Sequence, residues 1–337
     1  MTNYEEHLKK LNNLKEKIGQ NQNLELINSL QLDSPNRKIA LSGLTKDQKF
    51  FHTVFIQKTF ESSPIVLFDD LSYKEVEKND EKKNKYHYFT HEGINYIYQC
   101  YTLPSNLGNV QTIDNKGIKD FLEGNIRSGK EIYKDIKQTL QEFYDFCNEE
   151  ELELCVCHII HSYILNLLGG TIYILLSGDK GTGKTTLQRT LEKLQYHGCM
   201  VDKTTAAALC RKTHFFQASL NLDEFDKYGD KEKQIILGVL NSGYKKGGVY
   251  EVVDDNDRDK TNVYYTFSTK TFSTNRISGL DPSLLSRCIM INTIGAQRST
   301  KDITALDEDG ENWMTELRNN IFGFCLANGR GIYENIK

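Results

Sequence analysis

Residues 171–194, TIYILLSGDKGTGKTTLQRTLEKL, decide how this chain is built. The first part is a short apolar run rich in β-branched and aromatic residues, which reads as a strand. In the last part Leu187, Leu191 and Leu194 recur on one face, which reads as a helix. Between them, Gly178-Asp179-Lys180-Gly181-Thr182-Gly183-Lys184-Thr185 fits the pattern G-x-x-x-x-G-K-[ST]. The glycines let the backbone wrap so that successive N–H groups face phosphate oxygens, and the helix start presents its positive dipole end to the same anion. The stretch from Gly178 through Thr185 and Thr186 is therefore expected to cradle ATP. Lys184 would neutralise the β and γ phosphates, and Thr185 would offer its hydroxyl to Mg2+. The pattern arises by chance in about one chain in a hundred of this length. A strand before it and a helix after it lower that further.

Downstream, FQASLNLDE (216–224) is a second strand that ends in Asp223 and Glu224. An apolar run closing on two carboxylates is weak by itself, but it gains force from the glycine loop that precedes it. Asp223 is expected to hold Mg2+ through water, and Glu224 to polarise the water that attacks the γ phosphate. KTFSTN (270–275) and CIMINT (288–293) read as further strands, with helical segments between them. This alternation predicts a parallel sheet covered by helices.

Upstream the pattern is different. FFHTVFIQ, SPIVLF, KYHYFTH and INYIYQCYTL, between residues 50 and 103, read as strands, while KEVEKNDEKKNKYH reads as a solvated loop or hairpin end of balanced charge. Residues 118–168 read as helical, and ELELCVCHIIHSYILNLL within them as a buried helix. Cys147, Cys155, Cys157, His158 and His161 lie there without the paired C-x2-C spacing of a structural zinc site. Near the start, Leu8, Leu11, Leu14 and Ile18 form one apolar helical stripe, read as docking on its own domain rather than as a coiled coil. The expected division is an α+β amino-terminal domain over residues 1–135, the nucleotide-binding core over 136–298 and a short helical lid over 299–337.

A chain of 337 residues with 38% hydrophobic and 26% charged residues and only 4 prolines has the composition of an ordinary globular protein. Its net charge of -4 neither demands nor excludes nucleic acid, since a basic lining inside a channel would barely change the sum. The first twenty residues lack an apolar leader, and nowhere do about 18 apolar residues run together as a membrane span requires. A cytoplasmic location with no membrane partner is expected, and the eight cysteines are then reduced thiols.

Two further pieces give the chain a resemblance to the AAA+ ATPases. Ser273-Thr274-Asn275 closes a strand as the sensor 1 position does in that family, where an asparagine helps orient the lytic water. Leu280-Asp281-Pro282-Ser283-Leu284-Leu285-Ser286-Arg287-Cys288 resembles the helix and Ser-Arg step that carry the arginine finger. The resemblance implies catalytic roles for Lys184, Glu224, Asn275 and Arg287, with Arg287 completing a neighbour's site in a ring, a hexamer by expectation. The residue types alone also allow a turn-forming Asn275 and a structural ion pair at Arg287.

A narrower resemblance covers residues 150–297. Thr204-Thr205-Ala206-Ala207-Ala208-Leu209-Cys210-Arg211, LDEFD and Leu240-Asn241-Ser242-Gly243-Tyr244-Lys245-Lys246-Gly247-Gly248 are similar to the core of replicative helicases and primase-helicases of plasmids, phages and cassette elements. GVYEVV and TNVYYTF flank a polar turn and resemble the hairpin that such helicases insert into the ring pore. Lys245, Lys246, Arg258 and Lys260 are its available cations for DNA, whereas Asp254, Asp255, Asp257 and Asp259 make its tip acidic. The implied activity is ATP-driven movement on DNA during replication of a mobile element. The alternative is a protein-remodelling, defence or scaffold ATPase whose amino-terminal domain binds a protein partner. At the carboxyl end a modest helix is expected around WMTELRNNIFGFCLA, with Arg318 an exposed helix arginine or, alternatively, a sensor 2 residue.

Overall fold

The computed structural model describes residues 36–58, 62–81, 84–104, 108–202, 204–253, 261–278, 280–295, 300–301 and 311–336. The stripe from Leu8 to Ile18 lies outside these residues, as do Arg258, Lys260 and the four aspartates of the hairpin tip.

Among the described residues eight strands come first: β1 (Asn36–Ile39), β2 (Ser42–Leu44), β3 (Phe50–Gln57), β4 (Ser62–Phe68), β5 (Tyr73–Glu75), β6 (Glu77–Glu81), β7 (Asn84–His91) and β8 (Ile94–Tyr98). They form two four-stranded sheets, ordered β2-β3-β4-β5 and β1-β8-β7-β6. The long strand β3 shows why both of its faces are apolar. Side chains alternate along a strand, so Phe51 and Phe55 join Phe68, Phe89, Tyr96 and Tyr98 in an aromatic core between the sheets. Phe50 and Val54 point the other way, into a second core shared with the helices. The charged run 74–87 supplies β6 and the start of β7, a hairpin on the outside of the second sheet.

Three helices follow, each begun by a side chain that caps free backbone N–H groups. Asp114 accepts from Gly117 N at the start of α1 (Asn115–Leu122). Ser128 and Glu131 form a reciprocal capping box on α2 (Gly129–Phe143). Asn148 caps α3 (Glu149–Ile164), and Glu149, Glu150 and Glu151 in its first turn complement the helix dipole. His158 is buried on α3 as expected, and no group of three or more metal-ligating side chains occurs among the described residues.

The nucleotide-motif region then alternates strand and helix through β9 (Tyr173–Ser177), α4 (Lys184–Leu194), β10 (Gly198–Val201), α5 (Ala206–Phe216), β11 (Ser219–Leu222) and α6 (Asp230–Ser242). It continues with the hairpin β12 (Val249–Val253) and β13 (Thr261–Tyr265), then β14 (Lys270–Thr274), the single turn α7 (Pro282–Leu285) and β15 (Cys288–Asn292). Five of these strands make one sheet in the order β10-β11-β14-β9-β15, and every pairing in it is parallel. Alternation again covers both faces, with Ile174 and Leu176 in the core shared with the helices, and Tyr173 and Leu175 packed with Leu220, Leu222 and Phe272.

Three expectations need correction. FQASLNL is the third strand of this series rather than the second, because the four-residue run Gly198–Val201 forms a strand too short and too mixed to stand out. Among the described residues, strands also begin at Asn36 rather than at Phe50. Finally, the carboxyl-terminal helix α8 (Glu311–Ile336) has 26 residues and lies against α1, α2, α3, α4 and β3. Arg318 on it is buried, donating to the carbonyls of Thr112 (2.9 Å) and Lys193 (2.8 Å). A guanidinium carries five donors, so it can tie carbonyls from two separate segments at once. Among the described residues no helix is long and apolar enough to cross a membrane.

Candidate active site

The register of the parallel sheet collects the polar ends of its strands. Leu222 pairs with Phe272, so Asp223 stands level with Ser273. Ser177 pairs with both Thr274 and Asn292, so Gly178 stands level with Asn275 and Thr293. In an open α/β sheet ligands bind outside the carboxyl ends of the strands, where the connections diverge to opposite sides. That divergence occurs at β9: α4 leads away to β10 at the far edge, while β15 lies on the other side of β9.

The glycine loop joins β9 to α4 there. Gly183 is the cap residue of α4 with a φ of 86°, a left-handed conformation that costs a residue with a Cβ roughly 1–2 kcal/mol. Added bulk would also meet the Tyr144 ring, 3.1 Å away. Gly178 has no room for a side chain either, because a Cβ would collide with Thr293. Thr182 fastens the loop internally, with 2.8 Å to the Asp179 carbonyl and 2.6 Å to the Thr293 hydroxyl. Lys184 is buried and donates to the carbonyls of Gly178 and Asp179, both at 2.7 Å. Asp179, Lys180 and Gly181 are exposed at the tip. Thr186 lies within the first turn of the helix, where its carbonyl accepts from Thr190 at 2.9 Å.

Thr185 and Asp223 meet at this end of the sheet. The Thr185 hydroxyl donates to Asp223 Oδ2 at 2.9 Å, and the other oxygen, Oδ1, accepts from Ser273 Oγ at 2.6 Å and from Glu224 N at 2.9 Å. A hard divalent ion such as Mg2+ takes oxygen ligands at about 2.1 Å, which sets neighbouring ligands about 3 Å apart. The Thr185 hydroxyl suits such an ion as a direct ligand, and the Asp223 carboxylate hydrogen-bonded to it suits a water in the ion's shell.

Glu224 has a φ of 48°, one of the few non-glycine residues held in the left-handed region. Such strain costs about 1–3 kcal/mol and gathers at functional sites. The Glu224 N–H faces both Asp223 Oδ1 and Ser273 Oγ, each at 2.9 Å. Its carboxylate pairs with Lys227, beside a recess lined by Asp202, Thr204, Thr205, Tyr228 and Glu232. Asn275 follows β14 and is half-buried at the level of the loop.

Arg287 stands at the opposite end of the sheet. Cys288 pairs with Tyr173, the first residue of β9, so Arg287 is roughly 20 Å of strand from the loop of its own chain. Its guanidinium bonds Asn241 Oδ1 at 3.1 Å and the Ser283 carbonyl, and lies 4.3 Å from the centre of the Tyr244 ring. Its partners are therefore neutral groups rather than the ion pair considered from sequence. Lys245 Nζ lies over the same ring, 5.2 Å from its centre. Lys246 is exposed along its length, yet its ammonium donates to the Asn166 carbonyl at 2.6 Å, where partial burial lowers its pKa.

Ser273, Thr293 and Tyr144 were not singled out from sequence. Ser273 lies one residue before the end of β14 and Thr293 directly follows β15, positions whose contacts are readable only once the strand register is known. Tyr144 sits in the α2–α3 connection, where nothing local announces contact with Gly183; burial raises its phenol well above the ordinary value. No protein-family model matches the chain, and no curated protein matches it as a relative.

Proposed function

We propose that this chain is an oligomeric ATP hydrolase of the AAA+ P-loop type that acts on DNA, as a replicative helicase or translocase of a mobile genetic element. One observation carries the nucleotide reading: the residue after the loop lysine, Thr185, meets the carboxylate that ends β11, Asp223, across the sheet. The loop amides and Lys184 would bind the phosphates, and Thr185 and Asp223 would hold Mg2+. When bound, the ion offsets the charge that grows on the β- and γ-phosphate oxygens. Glu224 would take a proton from the attacking water as the water oxygen bonds to the γ phosphorus and the bond to ADP breaks. To do so it must leave Lys227. Asn275, level with the loop, would orient that water.

The place of Arg287 supports a shared site. It is too far from its own loop to act there, and its Nε is buried without a hydrogen-bond partner. A fixed cation at a subunit edge can stabilise charge on a neighbour's γ phosphate. The hairpin of β12 and β13, which follows Lys245 and Lys246, is the segment proposed to meet DNA.

A second reading has its own support. Lys246 is already engaged within the chain, and the net charge is -4, which suits a protein-remodelling or scaffold ATPase better than a phosphate-tracking pore. An ATPase assay with single-stranded and duplex DNA at low and moderate salt separates the two. Turnover stimulated by DNA and weakened by salt selects the DNA motor, whereas indifference to DNA selects remodelling. Turnover that needs no Mg2+ or survives Lys184→Ala rejects both.

A further inference from the structure

Lys270 opens β14 and is fully buried, yet its hydrogen-bond partners include no carboxylate. Its ammonium donates to the carbonyls of Thr266 (3.0 Å), Ser268 (3.0 Å) and Gly243 (3.5 Å), and lies 3.1 Å from the Ser268 hydroxyl. The Tyr173 ring centre is 5.0 Å away. Burial draws its pKa down to about 7, while the oxygen cage and the ring favour the charged form. Burying an ion is costly, and an apolar side chain of similar volume is usually the more stable choice. A lysine at this place has to be explained by what it holds.

It holds the root of the β12–β13 hairpin. Gly243 ends α6 on the way into the hairpin, and Thr266 and Ser268 leave it. The two sides also touch each other, through Thr266 N to Gly248 O at 3.0 Å and Ser242 Oγ with Thr266 Oγ1 at 2.9 Å. The approach at Gly243 leaves no space for a side chain, since a Cβ there would collide with the Thr266 carbonyl and come 2.5 Å from Lys270 Nζ. At the other end of the same strand, Ser273 donates to Asp223. Three residue steps along β14, about 10 Å, separate the two. β14 is hydrogen-bonded on both sides, by β11 and β9, which resists bending between its two ends.

We propose that Lys270 is a positioning residue that fixes the hairpin to the strand carrying Ser273, so that nucleotide binding at Asp223 is transmitted to the hairpin. This rests on the nucleotide reading of the glycine loop. The ammonium gathers both hairpin limbs onto β14, and the Ser273 hydroxyl gives the same strand its grip on the metal-binding carboxylate. A change in that grip moves the strand, and the strand carries the hairpin root with it.

Hydrogen exchange read by mass spectrometry on the full chain tests this, with and without Mg2+ and a slowly hydrolysed ATP analogue. In the parent chain the analogue is expected to slow exchange in residues 178–186 and to change it in 249–253 and 261–265, each by about tenfold. In Lys270→Met the loop response remains and the hairpin response disappears. An undiminished hairpin response in Lys270→Met, or none in the parent while the loop is protected, overturns the proposal. If Lys270→Met does not fold, Ser268→Ala removes one of the four oxygen acceptors and is expected to weaken the hairpin response selectively; an unchanged response there also overturns it. A parent loop that gains no protection rejects the nucleotide reading itself, and the proposal falls with it.

Discussion

The hydroxyl of Thr185 lies 2.9 Å from the carboxylate of Asp223, although 38 residues separate them in the chain. The contact joins the first turn of α4 to the end of β11, and β14, which lies beside β11 in the sheet, adds Ser273 to the same carboxylate. Three separate elements thus converge on one pair of oxygens.

Ser273 is the least obvious member, and its removal should be informative. Ser273→Ala leaves Asp223 Oδ1 with the Glu224 N–H alone. Loss of a group that orients a metal ligand typically costs about 10–100-fold in metal affinity or activity. We expect Ser273→Ala to raise the Mg2+ concentration needed for half-maximal turnover by about tenfold, with little change in thermal midpoint. An unchanged Mg2+ dependence would remove Ser273 from the site.

Lys184 and Glu224 should separate binding from turnover. Lys184→Ala deletes the one buried cation of the loop and is expected to weaken ATP binding by about tenfold or more, as loss of a charge-assisted contact does. Glu224→Gln should bind ATP as the parent does and lose turnover by about 100-fold or more. Equilibrium binding of a fluorescent nucleotide beside a phosphate-release assay reads both effects. Normal turnover in either variant would contradict the assignments.

Arg287→Ala is expected to silence hydrolysis while leaving nucleotide binding intact. Mixed with Lys184→Ala subunits, it should recover part of the activity, since each variant supplies what the other lacks. Activity in an isolated monomer of the parent chain would argue against a shared site.

Acid should unfold the chain earlier than its carboxylates would suggest. Burial holds His52 and His158 at about 3, and His161 and His197 at about 4, against an ordinary 6.5. Below pH 6.5 the unfolded chain takes up these protons and the folded chain does not. The contribution of these groups is therefore whole above pH 6.5 and is lost as the pH falls towards 4. Each costs about 1.4 kcal/mol per pH unit, so the four together should lower the thermal midpoint by about 5–10 °C between pH 7.5 and 5.5. A midpoint that stays level over that range would show that these rings are solvated.

The glycine loop was legible because everything it needs is local: the apolar strand, the glycines, the lysine and the leucine stripe occupy one run of 24 residues. Asp223 was legible because its strand ends visibly. The contacts of Ser273 and Thr293 were not, since they depend on which strands become neighbours and in what register. Arg318 misled for a different reason. Charged helix residues are usually solvated, and only the packing of α8 against α4 and the segment before α1 shows that two backbone carbonyls await a guanidinium. Lys270 and Lys246 were hidden in the same way, as lysines whose ammonium groups end on buried carbonyls.

The most direct test of the central claim is a crystal structure of the full chain grown with Mg2+ and a non-hydrolysable ATP analogue. The account predicts the triphosphate wrapped by the amides of residues 180–185, with Lys184 turned from the loop carbonyls to the phosphates and the metal beside Thr185 and Asp223. A loop without nucleotide at saturating analogue, or a metal bound away from Thr185 and Asp223, would contradict it.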